Sequence, residues 1–252
     1  MNFVGIIPAR FGSTRLEGKP LLDILGKPMI QRVYERASQV MDHLYVATDD
    51  ERIEAAVKGF GGKVVMTSSS HQTGTNRCVE ALKIINESTG ENFDAVINIQ
   101  GDEPLLEPSQ LTELMKCFNE ANTNFSTLVT PLNRIDDLFN ESEVFVTFNK
   151  NRDAMYFSRS VIPHLRGVDK SKWLEKTTIY KHLGLYAYTA ETLAEFSQME
   201  MSSLEKLESL EQLRWLENGG KIKVGITEHD TIPVDTIDDL ERVRDIYEKL
   251  NL

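Results

Sequence analysis

The 252-residue chain has little cysteine, no long apolar run and no surplus of positive charge. Its two thiols, Cys78 and Cys117, sit in helix-like segments with no metal-ligand neighbour. They read as buried or idle residues of a reduced compartment, which argues against a disulfide framework. No stretch approaches the roughly 18 apolar residues of a membrane span. The first apolar run, Phe3 to Ala9, has no basic region before it and ends at Arg10, unlike a signal peptide. A cytoplasmic protein without membrane insertion is the expectation. Lys and Arg number 28 against 39 Asp and Glu, a formal net charge of −11. Such a balance disfavours nucleic acid and anionic membranes as partners. The chain also lacks G-x-x-x-x-G-K-[ST], G-x-G-x-x-G and G-x-S-x-G, so a P-loop NTPase, a dinucleotide dehydrogenase and a serine hydrolase are disfavoured. Internal repeats, low-complexity tracts and flexible linkers are absent as well.

What is present is alternation. Short Val/Ile-rich runs at Phe3–Ile7, Leu44–Thr48, Lys63–Met66 and Ala95–Gln100 predict buried strands. Helical periods separate them at Pro28–Met41, Glu51–Phe60 and Asn76–Asn86. The pattern predicts a doubly wound α/β fold with a mainly parallel sheet, binding its ligands beyond the carboxyl ends of the strands. The middle differs. Phe125–Thr130, Val144–Asn149 and Lys181–Thr189 are strand-like with few helices between, and Pro163–Thr178 is charged and irregular. This reads as an inserted mixed-sheet region at about 125–200, possible ground for a dimer contact, within one domain spanning residues 1–252. A helix over Ser203–Asn218, a strand over Ile222–Thr227 and a helix over Ile237–Leu250 complete the expectation.

Against the acidic background, the loop after the first strand is conspicuous. Arg10, Gly12, Ser13, Thr14, Arg15, Gly18 and Lys19 combine cations, hydroxyls and glycines. Arg offers a planar fork to phosphate oxygens, Lys a compact charge, and glycine allows close backbone approach. The position is that of a nucleotide-phosphate site. A solvated loop with incidental charges is the plain alternative.

Two aspartates share a local setting. Asp102 follows a buried strand through Gly101, and Asp235 sits at a strand end before a helix. One or two carboxylates with phosphate oxygens and water are the usual holders of Mg²⁺. Asp235 could instead cap the helix, although Thr236, with Asp239 three positions on, competes for that role. Asp102 could be a turn residue.

Further on, His182-Leu183-Gly184-Leu185-Tyr186-Ala187-Tyr188 alternates, putting His182, Gly184, Tyr186 and Tyr188 on one strand face. That face suits a polyhydroxylated ligand, but by itself the pattern fits an ordinary half-exposed strand slightly better. His43, His71, His164 and His229 read as surface residues. On the predicted 203–218 helix, Leu204, Leu207, Leu210 and Leu213 form an apolar stripe with Glu211 beside it. A carboxylate there needs a ligand or a partner such as Arg214.

These segments together resemble the 3-deoxy-manno-octulosonate (Kdo) cytidylyltransferases. The likeness is carried by Pro8-Ala9-Arg10, Ser13-Thr14-Arg15-Leu16, Gly18-Lys19-Pro20-Leu21, Gly26-Lys27-Pro28-Met29-Ile30, Val46-Ala47-Thr48-Asp49, Gly74-Thr75-x-Arg77 and Gln100-Gly101-Asp102-Glu103-Pro104. It continues through Tyr156-Phe157-Ser158-Arg159, His182-Leu183-Gly184-x-Tyr186, Leu210-Glu211-Gln212-Leu213-Arg214 and Val234-Asp235-Thr236. The resemblance implies a fold of the nucleotide-diphospho-sugar transferase type, CTP and Kdo as substrates, Mg²⁺ on Asp102 and Asp235, and a homodimer. It implies that Arg10, Arg15 and Lys19 serve the triphosphate in catalysis. Pro8, Ala9, Ser13, Gly74, Thr75, Arg77 and Gln100 would complete the nucleotide site. Gln100, Arg159, His182, Tyr186, Glu211 and Gln212 would bind the sugar. No side chain stands out as a general base. A related sugar acid, such as 8-amino-Kdo or a sialic acid, is the near alternative. A non-catalytic nucleotide-sugar-binding protein is the remote one.

Overall fold

The structure, a computed structural model, describes residues 1–12 and 16–250. In chain order it begins with β1 (Phe3–Ala9), a short antiparallel pair β2 (Asp23–Ile24) and β3 (Lys27–Pro28), α1 (Met29–Ala37), β4 (Leu44–Thr48) and α2 (Glu51–Gly59). Next come β5 (Val64–Met66), α3 (Gly74–Thr89), β6 (Ala95–Asn98), α4 (Pro108–Lys116), β7 (Phe125–Pro131), β8 (Phe145–Phe148), β9 (Ala154–Ser158) and α5 (Trp173–Lys176). The remainder is β10 (Tyr180–Thr189), α6 (Ala190–Gln198), α7 (Ser203–Glu208), α8 (Gln212–Glu217), β11 (Lys223–Ile226) and α9 (Ile237–Leu250). The chain is a mixed α/β fold whose strands are mainly parallel, and it divides into two compact units.

Unit 1 comprises Met1–Thr112, Tyr188–Ser197 and Thr231–Leu252. Its strands run in the order β6-β1-β4-β5. All three pairings are parallel, with Ile7 opposite Val46 and Ile6 opposite Asn98. Every residue of β4 and β6 is buried, as expected of parallel strands covered on both faces. A second apolar cluster ties sequence-distant pieces together: Leu16, Ile24 and Met29 pack with Val234, Leu240, Val243 and Tyr247. Tyr247 donates its hydroxyl proton to the Pro104 carbonyl at 2.5 Å, and the Arg32 guanidinium lies 4.6 Å from its ring centroid. These contacts dock α9 and so fix the segment that carries Asp235.

Unit 2 comprises Glu113–Ala187 and Gln198–Asp230. Here β7 lies between β11 and β10, parallel to β11, with Val224 opposite Thr127. β8 pairs antiparallel with β9 and with β10. Leu183, Leu185 and Ala187 are buried, so the predicted alternation along β10 holds there.

One element departs from expectation. The helix predicted over Ser203–Asn218 breaks into α7 and α8, because Ser209 adopts a left-handed conformation, φ 54° and ψ 45°. The supposed stripe breaks with it: Leu207 is 81% exposed, whereas Leu210 and Leu213 are buried. What anchors the pair is an ion pair that periodicity does not reveal. Ser202 and Glu205 form a capping box on α7, and the Glu205 carboxylate takes two bonds from Arg214, Nε at 2.7 Å and Nη2 at 2.5 Å.

Candidate functional site

The first strand of unit 1 delivers Pro8, Ala9 and Arg10 to the carboxyl edge of the sheet, where a cleft of ≈ 350 Å³ opens. Lys19, Pro20, His71, Gln72, Thr73, Gly74, Arg77, Gln100, Gly101, Asp102 and Asp235 also line it. Nine of the expected nucleotide and metal residues are therefore brought together: Pro8, Ala9, Arg10, Lys19, Gly74, Arg77, Gln100, Asp102 and Asp235. Ser13 and Arg15 lie outside the described residues.

The centre of the cleft is Lys19. Gly18 starts the short turn that carries it, at φ 66°, a left-handed conformation that favours glycine. A Cβ at Gly18 would stand 3.0 Å from the Phe11 ring. From that turn the Lys19 ammonium donates to Asp102 Oδ2 at 2.8 Å and to Asp235 Oδ1 at 3.0 Å. Burial works to lower its pKa, but the charge and hydrogen bonds of Asp102, followed by those of Asp235, outweigh burial and raise it. The two aspartates reach one cation by separate devices. Gly101 lets its segment pass close under β1, where a Cβ would meet the Pro8 carbonyl oxygen at 3.2 Å. The Val234 amide donates to the Asp102 carbonyl at 2.9 Å, drawing Asp235 alongside. Thr236 takes the cap of α9: its hydroxyl accepts from the Asp239 amide at 3.2 Å, while Asp239 accepts from the Thr236 amide at 2.8 Å. Asp235 is thereby left to face Lys19.

Two carboxylates sharing one cation are a donor set suited to a hard divalent ion, with phosphate oxygens and water as the further ligands. Among the described residues no group of three or more His, Cys, Asp or Glu gathers into a metal cage. An ion here would thus depend on a second ligand such as a nucleotide.

The opposite wall is the start of α3. The helix begins at Gly74, two residues before the predicted Asn76, and Thr73 caps it by accepting from the Asn76 amide at 3.2 Å. The first turn of this 16-residue helix presents the positive end of its dipole to the cleft. Thr75 is 2% exposed and does not line the cleft. Arg77 is committed to structure, with Nη1 donating to Thr67 Oγ1 at 2.6 Å and Nη2 lying 3.3 Å from Asp49. Nη1 of Arg10 reaches the Gln72 carbonyl at 3.5 Å. His71, expected on the surface, is a lining residue instead, its Nε2 held by Glu80. Glu80 also accepts from the Ser68 amide at 2.8 Å. A polar loop beside a helix gives no sequence signal for such a pair.

The expected sugar residues other than Gln100 belong to unit 2. His182 packs against Phe157, with ring centroids 5.0 Å apart, and against Tyr186 at 5.2 Å. Burial of the ring lowers its pKa to about 3. Arg159 is exposed, and its Nε donates to the Glu208 carbonyl at 2.8 Å. The Glu208 carboxylate, unnoticed in the sequence, organises the whole Tyr156-Phe157-Ser158-Arg159 segment. It accepts from the Ser158 hydroxyl at 2.8 Å, the Tyr156 hydroxyl at 3.3 Å and the Arg159 amide at 2.9 Å. Glu211 stands 3.8 Å from Arg214, whose closer partner is Glu205. Gln212 is 3% exposed, and its Nε2 has no hydrogen-bond partner among the described residues. A buried amide left without a partner calls for an explanation, and a polar ligand supplies one.

A parallel α/β sheet that gathers cations and paired aspartates at its carboxyl edge is the layout of a nucleotidyltransferase. Residues 4–222 match the family model described as cytidylyltransferase. A relative in Parabacteroides distasonis, 3-deoxy-manno-octulosonate cytidylyltransferase, is 57% identical over 96% of each chain. A relative in a Shewanella strain, named 8-amino-3,8-dideoxy-manno-octulosonate cytidylyltransferase, is 44% identical over 96% of this chain and 97% of its own. Among solved structures, CMP:2-keto-3-deoxy-manno-octonic acid synthetase complexed with CTP superposes with a TM-score of 0.89 at 42% identity, covering 99% of this chain and 100% of that one. The chain belongs to the 3-deoxy-manno-octulosonate cytidylyltransferase family.

Proposed function

We propose that this protein transfers CMP from CTP to the anomeric hydroxyl of Kdo, giving CMP-Kdo for lipopolysaccharide inner-core synthesis and releasing pyrophosphate. The observation that carries the reading is the meeting of Lys19, Asp102 and Asp235 in a cleft that also holds Arg10 and the N-terminus of α3. Arg10, Lys19 and, from outside the described residues, Ser13 and Arg15 bind the triphosphate. Pro8, Ala9, Gly74, Arg77 and Gln100 shape the nucleoside end, with Thr75 buried behind them. Asp102 and Asp235 would hold Mg²⁺, which when bound neutralises phosphate charge and polarises the α-phosphoryl group. Lys19 bonds one oxygen of each carboxylate, so a dication on the remaining oxygens would leave its ammonium beside the phosphates as a further donor. Arg159 takes the sugar carboxylate, and His182, Tyr186, Glu211 and Gln212 take its hydroxyls. The unpartnered Gln212 amide supports that part of the reading.

In the reaction the anomeric oxygen forms a bond to the α-phosphorus as the bond to the β-phosphate oxygen breaks, and the hydroxyl proton leaves to solvent. Catalysis is mainly positioning and charge neutralisation. The protein would act in the cytoplasm; among the described residues no helix is long and apolar enough to cross a membrane. A pairing with a second copy is part of the reading, supported by the exposed Phe139, Met155 and Leu207 of unit 2.

Incubation with CTP and Mg²⁺ plus either Kdo or its 8-amino analogue, followed by pyrophosphate release, tests the proposal. Turnover with Kdo is expected, and turnover with the amino sugar alone would redirect it to the activity of the Shewanella relative. Asp102→Asn should abolish release while leaving the circular dichroism spectrum unchanged. Full activity in that variant would refute the metal role.

A further inference from the structure

The hydroxyl of Thr127 is crowded by three partners. Thr127 lies on β7 and is fully buried. Its Oγ1 stands 2.9 Å from His182 Nε2, 2.9 Å from the Leu185 carbonyl oxygen and 3.3 Å from the Leu183 carbonyl oxygen. A hydroxyl has one proton to give, and a carbonyl oxygen can only accept. If that proton went to His182, two carbonyl oxygens would face the hydroxyl oxygen with no hydrogen between them. The proton therefore goes to a carbonyl, Leu185 having the shorter contact. Oγ1 is then an acceptor toward His182, and His182 Nε2 must carry a hydrogen.

The ring is flanked by Phe157 and Tyr186, the residue is only partly covered, and among the described residues no carboxylate contacts it. In a neutral imidazole with hydrogen on Nε2, Nδ1 holds a bare lone pair. Nδ1 has no hydrogen-bond partner among the described residues. We infer that Thr127 fixes His182 in its Nε2–H tautomer, so that Nδ1 stands as an acceptor for a hydroxyl of the sugar acid. Thr127 is thus a positioning residue: it touches no substrate and acts through the ring. Burial of the ring, which holds it neutral, agrees with this. The substrate half of the inference rests on the function proposed above, whereas the tautomer half is a property of the free protein.

The test has two arms. Long-range ¹⁵N–¹H correlation of the ring nitrogens, with His182 assigned by its loss in His182→Gln, reads the tautomer without substrate. Nε2–H is expected in the native protein and in Thr127→Ser, which keeps the hydroxyl, and a mixture is expected in Thr127→Val. In steady-state assays Thr127→Val should raise the KM for Kdo about tenfold, with the KM for CTP unchanged and Thr127→Ser close to native. A native ring bearing its hydrogen on Nδ1 overturns the inference even if Thr127→Val does not fold. A locked tautomer with a KM for Kdo indifferent to Thr127→Val overturns the substrate half. Absence of any turnover with Kdo in the native protein is a different result, which sinks the proposed function and leaves the tautomer measurement standing.

Discussion

Acidification should weaken this protein through one ring. His182 has its pKa lowered from 6.5 to about 3 by burial. The unfolded chain releases that burial and takes up a proton near 6.5, while the folded chain stays neutral at this position. The stability tied to the neutral ring is complete above the unfolded value and is lost as pH falls from 6.5 toward about 3. Over the whole interval the loss is about 5 kcal/mol, and between about pH 7.5 and about pH 5 it is about 2 kcal/mol. The assay compares urea unfolding of the native protein and His182→Gln at those two pH values. All other titrating groups contribute to both proteins, so the difference isolates the ring. The native protein should lose about 2 kcal/mol more than the variant, on the order of 1 M in urea midpoint. An identical pH slope in the two proteins, or ring resonances of His182 titrating near the ordinary histidine value, would refute the reasoning.

Three other outcomes follow from the same geometry. Glu205→Gln leaves the buried Arg214 guanidinium with only the more distant Glu211 carboxylate at 3.8 Å, so a loss of about 3 kcal/mol in chemical denaturation is expected. Gly18→Ala forces a side chain into the left-handed region against Phe11, which should cost about 1–2 kcal/mol. Because that turn carries Lys19, pyrophosphate release should fall with the melting temperature, and an unchanged melting curve would count against the strain. Cys78 and Cys117 are both buried, and burial pushes the Cys117 thiol up to about 11. A thiol reagent should therefore find neither in the native protein and both in denaturant.

Much of the cleft in unit 1 was legible because local signals coincide with the residues that line it. The end of a buried strand announces Arg10, Gly18 announces Lys19 and Gly101 announces Asp102. Asp235, expected at a strand end, lies in a segment outside any strand, just before α9, which starts about where its period predicts. Thr236 competing with Asp235 for the cap was also visible, since capping is settled within a few positions. What escaped is nonlocal. His71 looks like any loop histidine until Glu80 holds it beside the cleft. Glu208 lies 50 positions from Ser158, and no spacing rule links them. Periodicity favoured one helix over Ser203–Asn218, whereas the pairing of Arg214 with Glu205 is made with Ser209 turned left-handed. Burial of a charge-bearing pair outranked the regular stripe.

The cation seat also has a history within each molecule. Lys19 and Asp102 are 83 positions apart, but Lys19 and Asp235 are 216 apart. A chain growing on the ribosome carries the first pair long before the third member exists. The third is held in place only once α9 has come to rest on Leu16, Ile24 and Met29. On the proposed reading, a metal-bound nucleotide that needs both carboxylates would be held only by a molecule whose synthesis has passed Asp235 and whose α9 has docked. In such a molecule ligand binding adds to stability by mass action. Truncated or half-docked chains forgo that protection, so substrate supply itself sorts finished molecules from unfinished ones.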